Sequence, residues 1–105
     1  MPIAVSDWLA SSLMPTPTHS AVNVAATSTA VAAVNEKRRY LLLVNDSDTV
    51  IYLKFGVAAV ANQGIRINAN GGSYEMSMQA GNLHRGAING IHASTGNKVM
   101  LVTEA

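Results

Sequence analysis

Cysteine is absent from all 105 residues, which removes disulfide bridges, thiolate metal ligands and a cysteine nucleophile from consideration. The same absence fits synthesis in the cytosol. Charge is nearly as scarce, with Asp, Glu, Lys and Arg at 12% of the chain against about 25% in ordinary soluble domains. Seven Lys and Arg nearly cancel six Asp and Glu, and the cations are scattered, so the dense basic footprint of a nucleic-acid binder is missing. No apolar run approaches the roughly eighteen residues that a membrane helix needs. The start, MPIAVSDWLASSLMPTPTHS, has no basic stretch followed by an unbroken apolar core, and it reads neither as a signal peptide nor as a membrane span.

What is present is 49% hydrophobic residues beside abundant Ser, Thr, Asn, Gln, Gly and Ala. An exterior built from those small, uncharged residues suits a protein that buries much of itself against neighbouring subunits, or one that works outside a crowded cytoplasm where colloidal repulsion matters less. The length fits one domain. A chain of this size buries roughly two-thirds of its unfolded surface, so any part that serves as an arm thins the core and favours assembly.

The chain divides into an N-terminal arm, residues 1–22, and a domain, residues 23–105. In the arm, Ser6 is placed to cap a short helix over residues 7–14 that Pro15 and Pro17 stop. Its apolar side would carry Trp8, Leu9, Leu13 and Met14. A helix of one or two turns needs a surface to dock on, either the chain's own domain or another chain, and in the second case those four residues are the candidate inter-subunit interface.

From Asn23 onward the hydrophobic period is two. Residues 22–34, VNVAATSTAVAAV, predict one or two strands from their valines and their Thr-Ser-Thr cluster. RYLLLV at 39–44 is apolar on both faces and predicts a central strand. NDSD at 45–48 predicts a turn, and TVIYLKF at 49–55 a strand with Ile51, Leu53 and Phe55 inward. The two strands read together as a hairpin. IRINA at 65–69 alternates, NGG at 70–72 turns the chain, and SYEMSMQA at 73–80 places Tyr74, Met76 and Met78 on one side. AINGIHAS at 87–94 is interrupted by Gly90, which suggests an edge, a bulge or a close backbone contact. TGN at 95–97 reads as a further hairpin-like turn before the strand KVMLVT at 98–103. Six to eight short strands at this spacing predict an all-β fold, an antiparallel β-sandwich or jelly-roll-like domain.

Groups able to do chemistry are few. His19, His84 and His92 each lack a second ligand at the spacings zinc sites use, and no metal or other cofactor is expected. Asp46 and Asp48 are explained by capping of their own turn. The glycine runs are not placed between a strand and a helix, so they cradle no phosphate. The cationic run KRR at 37–39 reads as a solvated turn. His84 with Arg85, in GNLHRG, reads as a solvated turn, or as the one local pair able to read an anion or a glycan. A carbohydrate or host-surface module would have to gather Tyr40, Tyr52, Asn89 or His92 with Arg85. Aromatic residues make up only 5% of the chain, a poor supply for such a site. An enzyme would need His84 and His92 to converge with a carboxylate.

The blocks RRYLLLVNDSDTVIYLKFG, GIRINANGGSYEM and NKVMLVTE, spread over residues 38–104, resemble a pattern found in small virion proteins of tailed bacteriophages. The resemblance implies a non-enzymatic, oligomeric component: a capsid decoration, or a head-tail or tail-associated part. The expectation is therefore a homo-oligomer, a trimer or larger ring, in the virion. It would contact capsid or tail proteins and neither nucleic acid nor membrane.

Overall fold

The computed structural model describes residues 15–105, and every regular element in them is a strand. The eight are β1 (Thr18–Val24), β2 (Thr29–Ala32), β3 (Tyr40–Asn45), β4 (Ile51–Phe55), β5 (Ile65–Ile67), β6 (Ser73–Ser77), β7 (Ile88–Ile91) and β8 (Lys98–Glu104). They form two four-stranded antiparallel sheets. The long sheet runs β1-β8-β3-β6 and the short sheet β2-β7-β4-β5. This is jelly-roll order, in which every connection except β4–β5 crosses from one sheet to the other.

Alternation drives the packing. Leu41 and Leu43 of β3, Met76 of β6, Met100 and Val102 of β8 and Val24 of β1 point inward from the long sheet. They meet Val31, Ile51, Leu53, Ile67 and Ile88 from the short sheet in a single buried cluster. Emptying one of these positions, as in Leu43→Ala, should cost about 2–5 kcal/mol. Gly90 lies in the interior strand β7, and a Cβ there would sit 2.9 Å from Val31 Cγ2 and 3.4 Å from Leu53 Cδ2. The glycine therefore marks close packing, and the β2–β7 register shifts nearby, between Ala30 and Ala32. Of the three sequence readings of Gly90, the edge is the one that does not apply.

Several boundaries differ from the sequence reading. Residues 22–34 hold two strands. β1 begins at Thr18 and pairs with β8 over its whole length, so residues 18–22 belong to the sheet. β3 is central, between β8 and β6, as its apolar faces predict. β3 and β4 are not a hairpin, because they lie in different sheets. The buried Asn45 turns the corner: its Nδ2 donates to Thr49 O at 2.8 Å and Ile67 O at 3.1 Å, while its Oδ1 accepts from Ser47 Oγ at 2.6 Å. Those bonds tie the corner to its own Thr49 carbonyl and to β5 of the other sheet, and so satisfy the buried amide. The TGN turn crosses between sheets in the same way, from β7 to β8.

β6 stops at Ser77 because the Asn82 side chain takes over its outer backbone groups, accepting from Ser77 N at 3.0 Å and donating to Glu75 O at 2.9 Å. Met76 is fully buried, whereas Met78 falls past the strand end and is exposed. Among the described residues no helix is long and apolar enough to cross a membrane.

Candidate functional site

Two features stand out, a polar corner around Arg38 and the outer face of the long sheet. Arg38 corrects the reading of KRR as a solvated turn, because its side chain is 0% exposed. Nε donates to Glu104 Oε2 at 2.7 Å, Nη1 to His84 O at 2.6 Å and to Gly86 O at 3.1 Å, and Nη2 to Ala33 O at 2.7 Å. The guanidinium thus ties the β2–β3 loop and the β6–β7 loop to the end of β8. Asn35 Nδ2 adds a bond to the same Glu104 oxygen at 3.2 Å. A planar, five-donor fork is the side chain that can hold a carboxylate and several carbonyls at once.

His84 and Arg85 are placed by this corner. The His84 ring stacks on Phe55, with centroids 5.1 Å apart and planes 17° from parallel. Its Nε2 is buried without a hydrogen-bond partner. A Cβ on Gly86 would come within 2.6 Å of that nitrogen, so glycine makes room for the ring. Arg85 is exposed, and its Nε donates to Arg38 O at 2.9 Å. Beside it a shallow groove of about 370 Å³ is lined by Met78, Gly81, Leu83 and Arg85. The structure therefore separates the pair: the histidine packs inward and the arginine borders the groove.

The other candidates are dispersed. Tyr40 and Tyr52 lie on different sheets, each with its own partner: Tyr40 OH donates to Glu75 Oε2 at 2.5 Å, and Tyr52 OH to Asn62 Oδ1 at 2.8 Å. The bond to Glu75 raises the Tyr40 hydroxyl above its ordinary value. Asn89 Nδ2 donates to Val57 O at 2.7 Å. His92 is buried past the opposite end of β7 from His84. Ser94 N–H donates to its Nδ1, so the ring proton resides on Nε2 and donates to Gly96 O at 2.6 Å. Asp48 is held by Lys98 Nζ at 3.0 Å and by Thr49 Oγ1 at 2.9 Å, and the lysine bond lowers its carboxyl below the usual value. Among the described residues no group of three or more His, Asp or Glu could hold a metal ion. Trp8, Leu9, Leu13 and Met14 lie outside the described residues.

The long sheet's outer face is the surface that sequence reasoning did not single out. Register places Ala21 of β1 beside Leu101 of β8, and Leu101 beside Val44 of β3. Leu101 is 39% exposed, and Leu42 and Val99 flank the row on the same face. The signal was available in KVMLVT and RYLLLV, which are apolar at consecutive positions. The face of the short sheet is different: Tyr52, Lys54 and Asn89 hydrogen-bond to the 56–64 loop that lies over them. Searches of protein-family models, curated proteins and solved structures find no match to this chain.

Proposed function

We propose that this chain is a non-enzymatic structural subunit of a tailed-phage virion, one that self-assembles and binds the capsid as a decoration or cement protein. The observation that carries the reading is the in-register apolar row Ala21–Leu101–Val44 on a sheet face that no other described element covers. A row of aliphatic side chains on a rigid antiparallel sheet supplies the dry centre of a subunit contact, and His19, Asn23, Thr103, Ser73 and Glu75 around it supply a polar rim. The resemblance of residues 38–104 to small virion proteins points the same way. The jelly roll is a fold that capsid components use, as lectin domains and cupins do, so it supports the reading only by analogy.

The test is co-sedimentation of the full chain with capsid shells of the same phage, together with native mass over a wide concentration range. The wild-type chain is expected to bind shells, and Leu101→Lys is expected to lose binding while keeping its fold. Unchanged binding by Leu101→Lys and Val44→Lys would overturn the assignment of this face.

A further inference from the structure

A jelly roll leaves four sheet edges, and exposed edges usually carry a device that prevents pairing with another chain. Three of the four do so here. β5 has only three residues and carries Arg66. β2 has four, beside a register shift. β6 is a five-residue strand that carries Glu75, and two of its outward backbone groups, Ser77 N–H and Glu75 C=O, are occupied by the Asn82 side chain. β1 differs: it runs seven residues, THSAVNV, in unbroken register with β8, and contains no Lys, Arg, Asp, Glu or Pro.

The alternation of the ladder identifies the open groups. Tyr40 and Ala105 exchange both backbone bonds, and Asp46 N donates to Val99 O, so the odd-numbered residues of β8 bond toward β3 and the even-numbered ones toward β1. In β1 the partners of those even positions are Thr18, Ser20, Val22 and Val24. The backbone N–H and C=O groups of His19, Ala21 and Asn23 therefore point to the free edge, and among the described residues nothing pairs with them.

We infer that this edge pairs with the β1 edge of a second copy, antiparallel and centred on Ala21. The inference deepens the proposed role as an assembling subunit and rests on it. In that register the three outward-facing residues of each strand meet those of its mate, making about six backbone hydrogen bonds. No charges are opposed. The strand is its own complement, and the two long sheets fuse into one with Ala21 facing Ala21 across the two-fold. The apolar row then runs unbroken through both copies. Pro15 and Pro17 at the entry to β1 disfavour a tight hairpin there, which leaves a second copy as the occupant proposed.

The experiment is residue-resolved hydrogen exchange on the full chain, with native mass followed to about 1 mM, the weak end of specific association. A dimer is expected in which the amides of His19, Ala21 and Asn23 gain protection of tenfold or more as the dimer forms, while those bonded to β8 are protected throughout. Ala21→Pro deletes one outward N–H without touching the β8 ladder and should give a folded monomer. Ser20→Lys, a second variant that places a charge on the edge, should do the same, and Ala21→Thr should pair normally. Protection of the three amides in a monomer overturns the inference, because the occupant is then the chain's own segment. An oligomer in which the three amides exchange freely overturns edge pairing but leaves the subunit role standing. A monomer at every concentration that still binds shells overturns the pairing and leaves the decoration role intact. Loss of both pairing and shell binding overturns both.

Discussion

The two sheets bury the same kind of inner face and present opposite outer faces. The long sheet has strands of five to seven residues and an aliphatic row open to solvent. The short sheet has strands of three to five residues and a polar outer face bonded to its own 56–64 loop. Core packing constrains only the inner faces, so the outer faces are free to differ. Among the described residues one is bonded to a loop of the chain itself and the other is covered by no element, and that is the difference the proposed subunit contact would use.

The largest expected effect comes from removing what joins the two sheets. Arg38→Ala should cost about 3–5 kcal/mol, because Glu104 and the carbonyls of Ala33, His84 and Gly86 lose a buried partner. Chemical denaturation would read this as a large fall in midpoint, and Arg38→Lys should rescue little, since an ammonium lacks the planar fork. Next is Gly90→Ala on the inner face of the short sheet, where the new Cβ crowds Val31 and Leu53. Overpacking of that kind costs about 1–3 kcal/mol, again measured by denaturation.

The outer faces should respond in the reverse sense. Leu101→Lys is expected to shift stability by no more than about 0.5 kcal/mol and to abolish shell binding, whereas Arg66→Glu on the short sheet's outer face should leave binding unchanged. Equal losses from both substitutions would erase the distinction between the faces. The smallest effect is at high pH. The Tyr40 hydroxyl is raised above 10.0 by its bond to Glu75, so the unfolded chain ionises first. The contribution is complete below the unfolded value and is lost as pH rises through the folded one. Thermal melts of the wild type and Tyr40→Phe should converge on the alkaline side of that range.

Much of this fold was legible because alternation is local. β3, β4 and β8 were visible in RYLLLV, TVIYLKF and KVMLVT, each with an inner face that the buried cluster contains. Sheet membership was not visible, because a four-residue turn such as NDSD serves a hairpin or a crossover equally well. What decides it is the buried Asn45 amide reaching Ile67 O, 22 residues away. Arg38 was hidden for the same reason. KRR has the composition of a solvated turn, and its partner Glu104 lies 66 residues further along. The pair His84 and Arg85 was legible as neighbours in one loop but not as two side chains facing different ways. The sequence could not show that Phe55, from another strand, would draw the ring inward.

The position of β8 between β1 and β3 also governs the order in which the molecule can form on the ribosome. Until Glu104 has been synthesised, the slot that β8 fills is empty, and β1 and β3 stand apart as two unpaired edges. The short sheet is no refuge in the meantime, since its strands are joined mostly through crossings to the long one. The long sheet therefore cannot close until β8 has left the ribosome, and its unpaired strands stay open to other chains until then. A closely spaced polysome would be the place where its misassembly begins.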